Sequence, residues 1–332
     1  MKIFAVMCLL ACASAGSVLA QDEGDLTAKQ RLFEKIGPGL RAIKRGADGR
    51  LYILASPAPG LLVFDSADKQ VLAMSELSAS AAGGNASQAL LAFGEDCDAD
   101  AEGKIYVADR GANLIRVFSP EGTLVRSIPV KNPVSVAALP EGEIAVTTLR
   151  EPHLVVVFDK TGREVREFGD PEPLSDREDL NRYLSIGQLA TDAAGHLYYA
   201  FTYVPEPTVR QYDRVGYAGQ DIQYTALEAW PTAQAARKEI ERQEKRGDDP
   251  RVRKTITAVG VDRSNGEVWI ALYNTLLHFD AEGNRRASYK IYTPQEARLE
   301  ANTILVEKDR LIIGSDPLGI YEFERPGKTT TR

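Results

Sequence analysis

The sequence predicts an all-β fold: a six-bladed β-propeller of four-stranded antiparallel blades, with short helical insertions on one face. Three observations lead there. An aromatic residue followed by an acidic or small polar one recurs, as Phe64-Asp65, Phe118-Ser119, Phe158-Asp159, Tyr212-Asp213, Phe279-Asp280 and Phe323-Glu324. A hydrophobic triplet precedes each pair, beginning at Leu51, Ile105, Ile144, Leu197, Val268 and Leu311. Glycines stand at fixed offsets. Gly49, Gly103, Gly142, Gly195 and Gly266 come just before a triplet, and Gly122, Gly162, Gly216, Gly283 and Gly327 just after an aromatic pair. A unit repeated at this period is one small sheet that cannot bury its own faces and must stack on its neighbours.

Each copy reads as strand, Gly turn, strand, loop, strand, Gly turn, strand. Glycine supplies the positive φ of the tight turns. The last copy has Asp309 in that place, and Asp tolerates the left-handed region better than most residues. That copy also runs out of chain after Phe323 and lacks a fourth strand. Near the start, Gln30 to Gly37 alternates like a strand. An N-terminal strand at about residues 30–37 is therefore expected to close the last blade and remove its exposed edge. One propeller domain over residues 21–332 accounts for the chain after its leader. Blade by blade, residues 38–326 resemble the NHL-repeat family of six-bladed propellers. The resemblance implies the fold and leaves function open, because such propellers host both binding proteins and enzymes.

Residues 1–20 read as a signal peptide: Lys2, an apolar run from Ile3 to Ala15, and Val18-Leu19-Ala20 as a cleavage site before Gln21. The apolar run is too short to span a membrane. The expectation is export, to the periplasm or outside the cell. The alternative is a lipoprotein anchored at Cys12, because Leu9-Leu10-Ala11-Cys12 loosely fits a lipobox. Cys8 and Cys12 fall in this segment, so Cys97 alone remains and no internal disulfide is expected. Cys97 falls on a predicted inner strand and reads as a small buried hydrophobe. The formal net charge is −7, with no basic stripe, which argues against nucleic acid and anionic membrane as partners. Asn85-Ala86-Ser87 is a glycosylation sequon, meaningful only in a eukaryotic host.

The long insertions all fall on one face of the ring. Residues 75–92 form a Ser/Ala/Gly-rich crossing, and 170–186 an acidic one in which Ser175 and Glu178 have capping-box spacing. Residues 223–254 form the largest crossing. Thr293-Pro294-Gln295-Glu296 offers another box, with Pro at the first helical position. Val204-Pro205-Glu206-Pro207 decorates the same face. The opposite face carries only tight turns, so the elaborated face is the working one. Residues 232–247 predict a helix, with Thr232 as cap and Gly247 as terminator. Its apolar stripe is thin: Ala233, Ala236 and Ile240. It reads as a lid, as a docking helix, or as a solvated helix resting on the ring.

Chemistry is sparse. His153, His196 and His278 fall in three different layers of the repeat, so a three-His metal site is not expected. Asp96-Cys97-Asp98-Ala99-Asp100 has the D-x-D-x-D spacing of a calcium loop but lacks its glycine and its final glutamate. By register, Asp96 aligns with Ser135, Gln188, Ala258 and Asn302 on other inner strands. The ends of second strands add Asp109, which is expected to brace its own loop, and Arg110, Arg150, Tyr203, Tyr273, Asn274 and Asp316. The candidate ligand-binding residues are thus Asp96, Arg110, Arg150, Gln188, Tyr203, Tyr273, Asn274, Asn302 and Asp316. Asp96 and Asp98 are candidate ligands for a divalent cation, and no other cofactor is expected. No Ser-His-Asp order, P-loop or dinucleotide fingerprint appears. The first reading is an exported, non-catalytic binding or scaffold module for a protein, peptide or small polar ligand. The alternative is a metal-assisted hydrolase, lactonase or lyase with its site in the central channel.

Overall fold

The computed structural model describes residues 22–56, 59–74, 91–149, 152–225, 229–247 and 251–327. The expected signal peptide, Cys12, Asn85 and Arg150 lie outside the described residues. Two N-terminal strands, β1 (Asp22–Thr27) and β2 (Gln30–Leu32), precede the ring. Blade one is β3 (Leu40–Arg45), β4 (Leu51–Ala55), β5 (Gly60–Phe64) and β6 (Gln70–Met74). Blade two is β7 (Gly94–Ala99), β8 (Ile105–Asp109), β9 (Leu114–Phe118) and β10 (Leu124–Pro129). Blade three is β11 (Pro133–Ala138), β12 (Ile144–Thr148), β13 (Val155–Phe158) and β14 (Glu164–Phe168). Helix α1 (Glu178–Leu184) leads into blade four: β15 (Gly187–Thr191), β16 (Leu197–Phe201), β17 (Thr208–Tyr212) and β18 (Ala218–Gln223). Helix α2 (Trp230–Arg246) leads into blade five: β19 (Ala258–Val261), β20 (Val268–Leu272), β21 (Thr275–Phe279) and β22 (Arg285–Tyr292). Blade six is β23 (Thr303–Val306), β24 (Arg310–Ser315) and β25 (Gly319–Glu324), with β2 as its outer strand. The inner strands β3, β7, β11, β15, β19 and β23 touch in turn, and β23 meets β3, so the ring closes.

The two ends of the chain meet in blade six, where Gln30 pairs with Glu322 and Leu32 with Ile320, antiparallel. The strand is shorter than residues 30–37 because Phe33 turns out at φ 50°. β1 adds something the repeat does not contain. It pairs in parallel with β22, Asp22 opposite Ala287 through Thr27 opposite Tyr292, so blade five has five strands. The outer edge of blade five is thereby covered.

The recurring phrase now has a physical cause. Its aromatic is buried in every blade, as with Phe118 and Phe323. Its acid caps the hairpin turn that follows. Asp65 Oδ1 accepts the amides of Ala67 and Lys69, both at 2.9 Å. Asp213 Oδ1 accepts those of Val215 and Tyr217, again at 2.9 Å. The turn closes through a glycine at positive φ, as at Gly122 (φ 84°), a conformation that costs other residues steric strain. The earlier turn of the blade repeats the device with a phenol. The hydroxyls of Tyr52, Tyr106 and Tyr198 donate to Asp48, Asp100 and Asp192 at 2.6, 2.8 and 3.2 Å.

Burial, and then the neighbouring carboxylates, push these three phenols above the ordinary tyrosine range. A phenol raised in the folded state contributes stability that is full below its unfolded value of 10.0 and is lost as pH climbs. Spectrophotometric titration is expected to show Tyr52, Tyr106 and Tyr198 staying protonated above pH 10.0 until the chain unfolds. Ionisation of all tyrosines together near 10.0 would mean the Asp–Tyr pairs do not form.

Three helix expectations need correction. α1 starts two residues later than a box capped by Ser175 would place it, with Arg177 as N-cap and no side chain capping it. Ser175 Oγ instead donates to Glu244 Oε1 of α2 at 2.7 Å, so the box is undone by a contact 69 residues away. The box at Thr293 opens no helix. Thr293 and Ala297 close a tight turn with Glu296 at φ 60°. α2 begins two residues before Thr232, at Trp230, because Pro231 suits a first helical turn and needs no side-chain cap. Gly247 ends it at φ 69°, as expected. Ala236 and Ile240 of α2 pack on Leu180 and Leu184 of α1. No helix among the described residues is long and apolar enough to cross a membrane.

Candidate functional site

Three β-bulges build the mouth of the channel. The register slips between Leu40 and Ala42 in β3, between Gly94 and Asp96 in β7, and between Pro133 and Ser135 in β11. The extra residues are Arg41, Glu95 and Val134. A bulge bends its strand and re-aims a side chain. All three extra residues line one cavity of about 250 Å³ on the loop-bearing face. Its far wall comes from Gln188 and Tyr203 of blade four, Tyr183 of α1 and Lys254, with Asn302 on the blade-six side. No residue of α2 lines it, so α2 stands behind α1 and does not close over the opening.

The wall is cationic and aromatic. The guanidinium groups of Arg41 and Arg110 both lie over the Phe93 ring, at 4.8 and 5.5 Å from its centre. Arg110 Nη1 pairs with Glu95 Oε1 at 2.8 Å. Arg41 Nε is buried and has no hydrogen-bond partner among the described residues. Tyr183 and Tyr203 stack with centroids 5.2 Å apart. The Lys254 head is open to the cavity, but surrounding protein removes much of its water. That desolvation, opposed by Glu95 and reinforced by Arg41, holds it below the usual lysine range.

Below the mouth an ammonium occupies the axis. Lys44 Nζ donates to Leu189 O across the ring at 3.0 Å. Burial lowers its pKa, but Asp96 and Asp98 more than offset this, so it sits above the ordinary value. Asp96 Oδ2 takes a short hydrogen bond from Ser135 Oγ and one of 3.2 Å from the Val136 amide. Its Oδ1 accepts the Cys97 amide at 2.9 Å. Asp98 accepts the amides of Ala99 and Ala138 at 2.8 and 2.9 Å. The Leu189 amide donates to Ser135 Oγ at 3.0 Å, so blades one to four are tied together at the axis. Lys44 lines both the mouth cavity and a second one beneath it, bounded by Asp98, Thr191 and Arg263.

Asp96 and Asp98, the expected cation ligands, share this region with the Lys44 ammonium. All four carboxylate oxygens accept hydrogen bonds from protein donors, and Lys44 supplies the positive charge. Those hydrogen bonds and the charge of the nearby ammonium both lower the affinity of the two carboxylates for a divalent ion. Among the described residues no group of three or more His, Cys, Asp or Glu is placed to hold a metal ion.

Five of the candidate ligand-binding residues come together at the cavity: Asp96, Arg110, Gln188, Tyr203 and Asn302. Three do not line it. The Tyr273 hydroxyl donates to Lys254 O at 2.9 Å, so it positions the lysine's backbone from behind. The Asn274 carbonyl accepts the Ile291 amide within blade five. Asp316 Oδ1 accepts the Gly39 amide at 2.9 Å, and its own amide donates to Asn302 Oδ1, which locks the junction of blades six and one. Asp109 braces its loop, as its place in the repeat implies, accepting the amides of Ala92, Phe93 and Ala112. Arg41, Lys44, Glu95 and Lys254 are the residues that sequence reasoning missed. Charged residues on strands that should be apolar were the available signal.

The histidines stand apart in three blades. His153 lies near Glu167 and Asp170, His196 beside Asp192, and His278 beside Glu267 and stacked on Trp269. Cys97 is buried and free, and burial among carboxylates pushes its thiol well up, so it is inert as a nucleophile.

No protein-family model and no curated protein matches the chain. Solved structures do. A calcium-binding protein, regucalcin, from Agrobacterium tumefaciens matches with a TM-score of 0.55 at 13% identity, over 92% of this chain and 95% of that one. A streptogramin B lyase gives 0.54 at 15% identity, over 90% and 86%. A gluconolactonase from Xanthomonas campestris gives 0.52 at 14%, over 87% of each. Likeness at this identity shows the six-bladed fold alone, because function depends on the residues grafted onto it.

Proposed function

We propose that this chain is an exported, non-catalytic binding propeller that takes a small polar ligand in the cavity at its loop-bearing mouth. One observation carries the reading. The axial carboxylates are hydrogen-bonded by donors of the neighbouring blade and lie within the field of the Lys44 charge, while polar side chains from blades one, two, four and six surround open space at the mouth. A rigid ring that presents a few convergent polar groups and two aromatic rings suits recognition of a small molecule. The metal-assisted hydrolase reading has to bring a divalent ion to Asp96 and Asp98 against the charge of Lys44.

Metal analysis of the purified protein, with melting temperature before and after chelation, separates the two. The expected result is no stoichiometric divalent ion and a melting temperature unmoved by chelator. Small polar compounds are expected to raise the melting temperature by mass action, and a Gln188→Ala/Asn302→Ala variant to lose that response. A bound divalent ion whose removal lowers the melting temperature would instead support the hydrolase.

A further inference from the structure

We infer that the mouth is an oxyanion site: Arg41, Arg110 and Lys254 take the carboxylate or phosphate group of a small ligand whose remainder lies along Tyr183 and Tyr203. The inference rests on the binding reading of the same cavity and names the chemistry it selects. Charge is the first reason. Three cations face the opening with Glu95 as their nearby counter-charge, while Asp96 at the floor acts on the charge of Lys44. The chain as a whole is acidic, with a formal net charge of −7, so the cationic recess is local.

Geometry is the second reason. The guanidinium carbons of Arg41 and Arg110 lie 4.8 and 5.5 Å from the centre of the Phe93 ring, within cation–π range, which favours holding both heads at the mouth. A guanidinium held this way presents a fork that matches a carboxylate or phosphate, and little rotamer entropy remains to be lost on binding. Arg41 Nε is enclosed by protein and has no partner among the described residues, so any acceptor meets this guanidinium through its terminal nitrogens. The bulges in β3 and β7 place Arg41 and Glu95 at the same level in adjacent blades. Glu95 therefore acts as a resident counter-ion that an incoming anion displaces from Arg110. Lys254 is held below the usual lysine range mainly by desolvation, opposed by Glu95 and reinforced by Arg41, so it stands in the same cluster of charges.

The test is isothermal titration at low ionic strength with inorganic phosphate, succinate and citrate, and with neutral glucose and N-acetylglucosamine as controls. Anions are expected to bind with an affinity that falls as salt rises. The Arg41→Gln/Arg110→Gln variant is expected to bind roughly tenfold more weakly or worse, and Arg41→Lys/Arg110→Lys to recover part of the loss. Glu95→Gln is expected to bind more tightly, because it removes the competing charge. The ranking of phosphate against the carboxylates tells which oxyanion the fork prefers. In carbon-13 spectra of the methylated protein, the anion is expected to move the Lys254 titration upward. Unchanged anion affinity in the double glutamine variant, or weaker binding in Glu95→Gln, overturns the inference. Glucose or N-acetylglucosamine binding that is lost in Gln188→Ala/Asn302→Ala, with no response to any anion, overturns the inference and leaves the binding reading in place. A chelator-sensitive metal with no response to any of these compounds overturns both.

Discussion

Replacing Lys44 with methionine is expected to lower the melting temperature by about 6 °C near neutral pH, and the deficit is expected to shrink on acidification. The methylene stem is kept, so packing changes little. What is lost is the positive charge that balances Asp96 and Asp98, which are 8% and 5% exposed. Removing one partner of a buried ionic set costs about 3–5 kcal/mol, and the partial water access of Lys44 places it near 3. The pH dependence follows from Asp98. Burial already raises its carboxyl above the ordinary 3.8, against the opposing pull of Lys44 and two amides. Without the ammonium it rises further. A carboxyl raised in the folded state adds stability below its unfolded value, and that stability is lost as pH climbs through the folded value. The variant should therefore approach the wild type as pH falls towards 3.8, the ordinary value, and fall furthest behind once Asp98 is ionised. Adding Asp96→Asn and Asp98→Asn should recover most of the loss, because a neutral set needs no counter-charge. Denaturant melts across pH measure all of this. A deficit that does not change with pH would mean that Lys44 acts through packing and not through charge.

Arg325 is expected to matter as much. Its side chain is 3% exposed, just beyond β25. Nη1 meets Asp262 Oδ2 at 2.5 Å and donates to Glu307 O at 3.0 Å, while Nη2 pairs closely with Glu267. One guanidinium thus ties the end of blade six to the turn of blade five. Arg325→Met leaves Asp262 and Glu267 without their counter-charge, at a cost of about 3–5 kcal/mol. Hydrogen exchange should then report loss of protection first in β23 to β25, at the seam. A second readout is His278. Burial lowers its pKa below 6.5, Glu267 raises it, and Arg325 lowers it again. Removing Arg325 should leave only burial and Arg286 opposing Glu267 and move the His278 titration upward in proton NMR. In the wild type, a histidine held below 6.5 contributes stability that is full above that value and is lost as pH falls, so mild acid should weaken this seam. A variant that keeps both its seam protection and its His278 titration would remove Arg325 from this role.

The ring was legible in the chain because its determinants are local. A turn acid caps amides two and four residues away, as Asp65 does, and a glycine reaches positive φ on its own. Repeating that unit leaves closure as the solution that buries every face. The rim was half legible. Register alone brought Asp96, Arg110, Gln188, Tyr203 and Asn302 to one opening, because the inner strands are equivalent by repeat. What the tertiary structure alone decided lies where long-range contacts override the repeat. Bulges turn Arg41 and Glu95 into the cavity, and a slip of one residue reverses which face a side chain takes. Lys44 meets Leu189 across 145 residues, and Ser175 meets Glu244 across 69. Among the described residues the parallel strand β1 on blade five has no counterpart in another blade. The sequence by itself determined the ring, because its turns and alternating strands act over a few residues. The charge of the mouth and the occupant of the axis were decided only when distant blades came together, because burial and opposing charges act through space and not along the chain.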